Sequence, residues 1–376
     1  MGIVLREVST KRELKSFIRF PDNLYRDCKY YIPALHRSQF RVLSNEYNPA
    51  FDHCEARYWL ALSNGRVVGR VAGIINNRYN IERAGAYMRF GWLDFAEDPE
   101  IPERLLGEVE DWAKKKGMEY IHGPLGFTSF DASGVLVEGF EEWPTSFGRY
   151  NFPYYNDMLC ACGYSKDIDW IEYNISVPEE KPERVLSVAQ IVKKRYSLKN
   201  ARLDKRNDVR RYSAGIFSLL NTVYNGLYGF STLTEKQVED LAQEFISLIH
   251  PDYVSVVLNE NEEVVAFGVV MPSLTKALKK AGGKLYPFGM IHILKALRSN
   301  DTIDMLLIGA KPEYQNKGAT SLVFEKIIGT IYDKGIRHVE TTRELESNNK
   351  VLQLWSGYDY RLHKRARCYI KPVWSV

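Results

Sequence analysis

The chain has 376 residues, 26% of them charged, and a net charge of +4. That length outgrows one ordinary core and suits two domains of roughly 150–190 residues each, and the mild positive charge is far below that of a nucleic-acid binder, so no nucleic-acid partner is expected. Cys28, Cys54, Cys160, Cys162 and Cys368 form no C-x-x-C pair and suggest reduced thiols rather than a metal site; with neither an apolar leader nor a run of about 20 apolar residues, a cytoplasmic protein is expected, peripheral contact with the inner face of a membrane being left open.

In chain order, Ile3–Val8 is the first strand candidate. Thr10 with Glu13 forms a capping box that starts a helix. Arg57–Ser63 and Val67–Ile75 read as a hairpin around Asn64-Gly65. Ala86–Leu93 is a further strand. Leu105, Leu106, Val109 and Trp112 fall at helical spacing within Pro102–Lys116, and Tyr120–Gly123 is a short buried strand. In the second half, helices are predicted over Ile216–Leu227 and Glu235–Ile249, and strands over Asp252–Leu258 and Val264–Val270. A strand Ile303–Ala310, a helix Thr320–Lys334, a strand His338–Thr342, a helix Asn349–Trp355 and a closing strand Arg361–Ile370 follow. The order helix, hairpin, strand, helix, strand thus occurs twice, which predicts an α/β (α+β mixed sheet) fold of two duplicated domains. The expected boundaries are 1–177 and 199–376, joined by a turn-rich linker over 178–198.

The sharpest motif joins the strand ending at Ile308 and Ala310 to the helix opening near Thr320. Pro312, Gln315, Asn316, Lys317, Gly318, Ala319 and Thr320 make a tight turn with small residues where backbone must approach a ligand. Gly318 lacks a Cβ, the first helical turn offers free amides and a favourable dipole, and Lys317 adds a cation, so the turn is expected to hold a pyrophosphate. The alternative is a glycine turn that only starts a helix.

At these residues the chain resembles the GNAT acyltransferase superfamily, whose CoA motif reads Pro-x-x-Gln/Arg-x-x-Gly-x-Gly/Ala. Pro312, Gln315 and Gly318 match it, and Thr320 stands at the last small position. Asn348, Val351, Leu354 and Trp355 are similar to the second motif, Asn-x-x-Ala-x-x-Leu-Tyr. Trp355 stands where many members have the tyrosine that protonates the leaving thiolate, and an indole cannot serve as that acid. The run from Glu340 through Arg343, Leu345 and Glu346 to Asn348 resembles a signature of a bacterial tandem-GNAT family that includes ceramide synthases, which acylate sphingoid bases. The resemblance implies two tandem GNAT domains, acyl-CoA as the donor substrate and an amine as acceptor, long-chain or lipid in character. It also implies two parallel strands, Ile303–Ala310 and His338–Thr342, that splay apart. Glu340 or Glu346 is the expected general base, Glu346 having an ion pair with Arg343 or Lys350 as its alternative role. The first domain has no Gln-x-x-Gly turn and is expected to lack the CoA site. Its loop from Gly123 through Asp131 and Gly134 to Phe140 also resembles that family. Asp131 there could position an amine or merely cap a turn.

Ser273–Asn300 carries six Lys/Arg, no acid and many large apolar residues. It suits an anionic membrane surface, a flap over an acyl chain or CoA, or a helix that covers the sheet. An acyl carrier protein is an alternative donor, since basic patches suit that acidic partner. A silent CoA-binding module and a peptide or cell-wall aminoacyl transferase are the competing functional readings. No residue cluster suggests a metal.

Overall fold

A computed structural model describes residues 2–348 and 357–374. The helix expected over Asn349–Trp355, including Val351, Leu354 and Trp355, lies outside the described residues. The first half opens with β1 (Val4–Glu7) and α1 (Lys11–Leu24). The Glu13 amide donates to Thr10 Oγ1 at 3.2 Å and the Thr10 amide to Glu13 Oε2 at 3.0 Å, the expected capping box. After α2 (His36–Leu43), β2 (Cys54–Ser63) and β3 (Arg66–Asn76) form the hairpin. Asn64 and Gly65 both sit at positive φ, 50° and 75°, as this tight turn requires. Next come α3 (Asn77–Arg83), β4 (Tyr87–Phe95), α4 (Glu100–Lys115) and β5 (Tyr120–Gly123). α4 buries Leu105, Leu106, Val109 and Trp112, the stripe its spacing predicts. β6 (Val135–Glu138), α5 (Tyr155–Ala161) and β7 (Ser165–Ser176) complete this half.

The segment expected as a linker carries α6 (Glu183–Tyr196), whose Ala189 and Val192 are buried. β8 (Lys199–Asn200), α7 (Arg206–Tyr224), α8 (Glu235–Leu248), β9 (Val254–Leu258) and β10 (Val264–Pro272) follow. α9 (Thr275–Ala281) and α10 (Gly289–Arg298) form a helical hairpin before β11 (Thr302–Ala310). The short α11 (Pro312–Gln315) and the long α12 (Thr320–Lys334) lead to β12 (His338–Thr341), β13 (Glu344–Leu345) and β14 (Tyr360–Pro372). α6 is tied to α12 through Glu325, which takes Gln190 Nε2 and Lys193 Nζ, each at 2.6 Å.

The strands make one mixed sheet in the order β1-β2-β3-β4-β5-β14-β7-β12-β11-β10-β9-β8, with β6 and β13 pairing beside it. Among the described residues two pairs are parallel, β4 with β5 and β11 with β12, and they occupy corresponding places in the two halves. The centre is an exchange. β7, the closing strand of the first half, pairs with β12 of the second, while β14, the last strand of the chain, pairs with β5 of the first. The cores follow the exchange: Ile171, Tyr173 and Ile175 of β7 pack in the second half's cluster, and Tyr369 of β14 packs in the first half's.

Candidate active site

The turn between β11 and α12 is built as its sequence suggests, with one difference. Gly318 has φ of +76°, and a Cβ there would stand 3.3 Å from Val192 Cγ2, so only glycine fits without strain. The amides of Gln315, Lys317, Gly318 and Ala319 are not free, however. They donate within the turn to the carbonyls of Lys311, Tyr314, Gln315 and Tyr314, at 3.0–3.2 Å. Among the described residues the Thr320 amide, at the first position of α12, has no acceptor. Gln315 Nε2 donates to the Ala310 carbonyl at 3.0 Å and so braces the turn. Lys317 Nζ lies over the Tyr314 ring, 4.5 Å from its centroid, and Asn316 is exposed beside it.

Upstream of the turn the parallel pair splays. β11 and β12 stay in register from Thr302/His338 to Met305/Thr341, and the Thr342 amide then donates to the Met305 carbonyl at 3.2 Å before the chain leaves. Beyond Leu306, whose carbonyl accepts from Thr342 Oγ1 at 3.4 Å, β11 continues to Ala310 paired among the described residues with β10 alone, which leaves a slot along the other backbone edge of Leu307–Ala310. A hydroxyl from α7 occupies part of it. Tyr224 donates to the Ile308 carbonyl at 3.2 Å and accepts from the Ile308 amide at 3.4 Å. Burial pushes its phenol up to about 12, so it stays protonated at neutral pH.

At the root of the slot a row of polar residues crosses four strands. Asp304 of β11 pairs in register with Glu340 of β12, Glu340 with Asn174 of β7, and Asn174 with Arg361 of β14. Two residues back along β7, on the same face, Glu172 stands opposite Lys364. A bulge between Leu362 and Lys364 drops His363 from the register, and His363 and Lys364 both feel the charge of Glu172. Arg343 Nε reaches Glu172 Oε1 at 3.3 Å, Lys364 Nζ lies 3.7 Å from Glu172 Oε2, and Asn174 Nδ2 donates to Glu340 Oε1 at 3.4 Å. Five buried atoms of this chamber have no hydrogen-bond partner among the described residues: Glu172 Oε2, Asp304 Oδ1, Arg343 Nη1, His363 Nε2 and Lys364 Nζ. An orphaned buried polar atom costs about 1–3 kcal/mol; Glu172 Oε2 and Lys364 Nζ offset part of that by their attraction across 3.7 Å, and Asp304 Oδ1, Arg343 Nη1 and His363 Nε2 remain for a polar group to satisfy.

The charges are tuned accordingly. Burial, reinforced by Asp304, pushes the Glu340 carboxyl up to about 7. Burial also raises Asp304. It would raise Glu172 too, but Lys364 and Arg343 outweigh it and hold that carboxyl below its usual range. Burial, helped by the neighbouring Lys364, lowers His363 to about 4, and burial lowers Lys364. Near neutral pH the cluster thus holds a carboxylate on the edge of ionisation at Glu340 and, within reach of the Glu172 and Glu142 charges, a neutral imidazole at His363.

The other expected site residues lie apart. Glu346 is held by Lys166 at 2.7 Å and Arg365 at 3.0 Å, one cation on each oxygen, so its carboxylate is committed to ion pairs. Asp131 accepts from the Thr128 amide at 2.9 Å, and burial pushes its carboxyl up to about 6; its neighbours are Thr128, Phe127 and Arg89, none of them in the Glu340 chamber. The Asn348 amide donates to the Leu345 carbonyl at 2.9 Å, where the described chain stops. Among the described residues no group of three or more His, Cys, Asp or Glu side chains is placed to hold a metal ion.

No family model matches the chain. Two curated proteins are similar to it along nearly their whole length. Protein YghO of Escherichia coli (strain K12) is 26% identical over 380 residues, 98% of this chain and 95% of that one. Bacterial ceramide synthase of Caulobacter vibrioides is 28% identical over 378 residues, 97% of this chain and 96% of that one. The solved structure of a tandem GNAT protein from the clavulanic acid biosynthesis pathway superposes over 100% of both chains with a TM-score of 0.57, at 11% identity. The chain has a tandem GNAT fold.

In this tandem GNAT protein the two halves treat the same slot differently. In the first half the parallel pair ends at Arg89/His122, and the chain then folds back so that the Leu125 amide donates to the Phe90 carbonyl at 2.8 Å. A Cβ on Gly91 would stand 2.4 Å from the Leu125 carbonyl oxygen, so that edge is closed. α4 starts after Pro99 with no glycine turn before it. The open edge, the glycine turn and the polar chamber all lie along β11. Asp304, Glu172, His363 and Lys364 escape a reading of the sequence because they come from three distant strands. The available signal is a charged residue inside an otherwise apolar strand, as at Asp304 within Thr302–Ala310.

Proposed function

We propose that this protein is an acyl-CoA-dependent N-acyltransferase whose acceptor is a long-chain or lipid amine. The reading is carried by one observation: Glu340, its carboxyl raised to about 7, lies at the root of the open β11 edge that leads to the Gly318 turn. Acyl transfer forms a C–N bond and breaks a C–S bond. The incoming ammonium must lose a proton, and a carboxylate that titrates near neutrality is suited to take it, directly or through a water. Asp304 and Glu172 would attract the cationic nitrogen. On the donor side, the Ile308 and Ala310 backbone edge would pair with the pantetheine arm and its thioester. The turn from Gln315 to Thr320, with Lys317 and the unpaired Thr320 amide, would take the pyrophosphate. Asn348 lies where the second GNAT motif begins. The similarity to a protein named bacterial ceramide synthase supports a sphingoid base or comparable lipid amine, and the large apolar side chains of the inserted hairpin agree.

The test is turnover of the purified chain with acetyl-CoA and palmitoyl-CoA against short and long amines. Thiol release is followed with a chromogenic disulfide and the amide product by mass spectrometry. Amide formation with a long-chain amine is expected. Binding of acyl-CoA with no thiol release on any amine would establish a silent CoA-binding module instead. Acyl transfer from an acyl carrier protein but not from CoA would change the donor and keep the site.

A further inference from the structure

We infer that the α9–α10 hairpin is a docking surface for an anionic lipid bilayer. It turns its large apolar side chains outward. Ala277 and Ile293 are buried, but Tyr286, Phe288, Ile291 and Leu294 are 66%, 69%, 60% and 57% exposed. Phe288, Ile291 and Leu294 recur every third residue and share one side of α10. A hairpin that merely covered the sheet would bury that stripe. Around it Lys280, Lys284, Lys295 and Arg298 are exposed and take part in no ion pair among the described residues, while the exposed Lys276 feels the charge of Asp301 just beyond the hairpin. Residues 273–300 contain no Asp or Glu. Apolar side chains ringed by unpaired cations match a surface that presents phosphate groups over hydrocarbon, which is an anionic bilayer.

The hairpin is braced rather than loose. Lys279, the one inward-turned lysine, donates to the carbonyls of Cys28 and Tyr31 at 2.8 Å each. The His36 amide donates to the Gly283 carbonyl at 3.0 Å, and Thr275 Oγ1 to the Pro144 carbonyl at 2.9 Å. Its root adjoins the chamber. The Leu274 amide donates to Ser146 Oγ at 2.7 Å, and the Ser146 amide and hydroxyl both donate to Asp304 Oδ2. The hairpin that would meet the bilayer is thus joined through Ser146 to Asp304, the first residue of the row that includes Glu340, and we infer that an amine whose tail stays in the bilayer reaches that row. The docking stands on the hairpin alone; the delivery of an amine rests on the acyltransferase reading.

The test is sedimentation of the full chain with vesicles of phosphatidylcholine, with and without phosphatidylglycerol, at about 0.1 M salt, where screening still leaves close contacts intact. The protein is expected to sediment with the anionic vesicles and to be released as salt rises. Lys280→Gln/Lys284→Gln/Lys295→Gln should weaken partitioning on the order of 100-fold, about fivefold per cation. Ile291→Ser/Leu294→Ser should weaken it at every salt concentration. All these positions are exposed, so both variants should keep the wild-type circular dichroism and the wild-type rate on a water-soluble amine, while turnover of an amine embedded in vesicles falls. Failure of the wild type to bind anionic vesicles, unchanged partitioning of the variants, or capture of an acidic acyl carrier protein by the same residues in place of vesicles would each overturn the proposal. A chain that sediments as expected yet acylates neither the soluble nor the embedded amine would refute the acyltransferase reading and leave the docking surface standing.

Discussion

Replacing Glu340 by Gln should make the protein both slower and more stable, and the two effects share one cause. In the folded chain the carboxyl titrates near 7, against 4.5 for a solvated glutamate. Between those values the native state holds a proton that the unfolded chain has released. Stability therefore falls as pH rises through this window. Above pH 7 the wild type carries a buried anion at a cost of roughly 3 kcal/mol, since each pH unit separating the folded and solvated titrations is worth about 1.4 kcal/mol. Glutamine has the shape of the protonated acid and avoids that cost. At pH 8 the Glu340→Gln variant should melt about 4 °C higher than the wild type, given the unfolding entropy of a chain this long. Near pH 5 the gap should shrink to within about 1 kcal/mol. Over the same pH range the wild-type kcat/KM should rise with a limb near 7. The variant should lose that limb and about 10²–10⁴-fold in rate, the usual contribution of a general base. Calorimetry at the two pH values and a pH–rate series decide it. A variant with near wild-type turnover and the same limb would show that Glu340 is not the base. Equal melting temperatures at pH 8 would show that its charge is compensated in the fold.

Three further outcomes follow from the site. Lys364 favours the ionised form of Glu340, so Lys364→Met should move the activity limb above 7, read from the same pH–rate series. Gly318→Val places a β-branched residue at φ +76° against Val192; CoA binding by titration calorimetry should be lost, with a fall in stability on the order of 1–3 kcal/mol. Tyr224→Phe removes the hydroxyl that competes for the Ile308 edge, so CoA should bind about fivefold more tightly, the worth of roughly one hydrogen bond.

Local chemistry is legible in the sequence and long-range pairing is not. The Thr10–Glu13 box, the Asn64-Gly65 turn and the α4 stripe each depend on residues within a few positions of one another, and the structure has all three. The splayed pair β11–β12 comes from the resemblance to the GNAT superfamily rather than from local chemistry, and the parallel register is found where that resemblance implies it. α6 reads as a linker because its ends are charged and Pro178 and Pro182 precede it, while only Ala189 and Val192 point to a buried side. α7 begins at Arg206, ten residues before its predicted start, within a basic run that hides its apolar face. Glu340 stands out by resemblance, yet its neighbours Asp304, Glu172 and Lys364 gain meaning only once β7 and β14 are known to lie beside β12. For Glu346, the ion-pair alternative names the right kind of contact, but its partners are Lys166 and Arg365, from β7 and β14.

The exchange of β7 and β14 has a consequence for how the molecule is made. On the ribosome β5 emerges long before β14, the strand that must lie beside it, so the nascent first half waits with an unpaired edge until β14 has been made. Neither half owns a complete sheet. A gene split between them would yield two fragments that each lack a central strand and find it only in the other, which binds the fate of the half with the closed edge to that of the half with the open one.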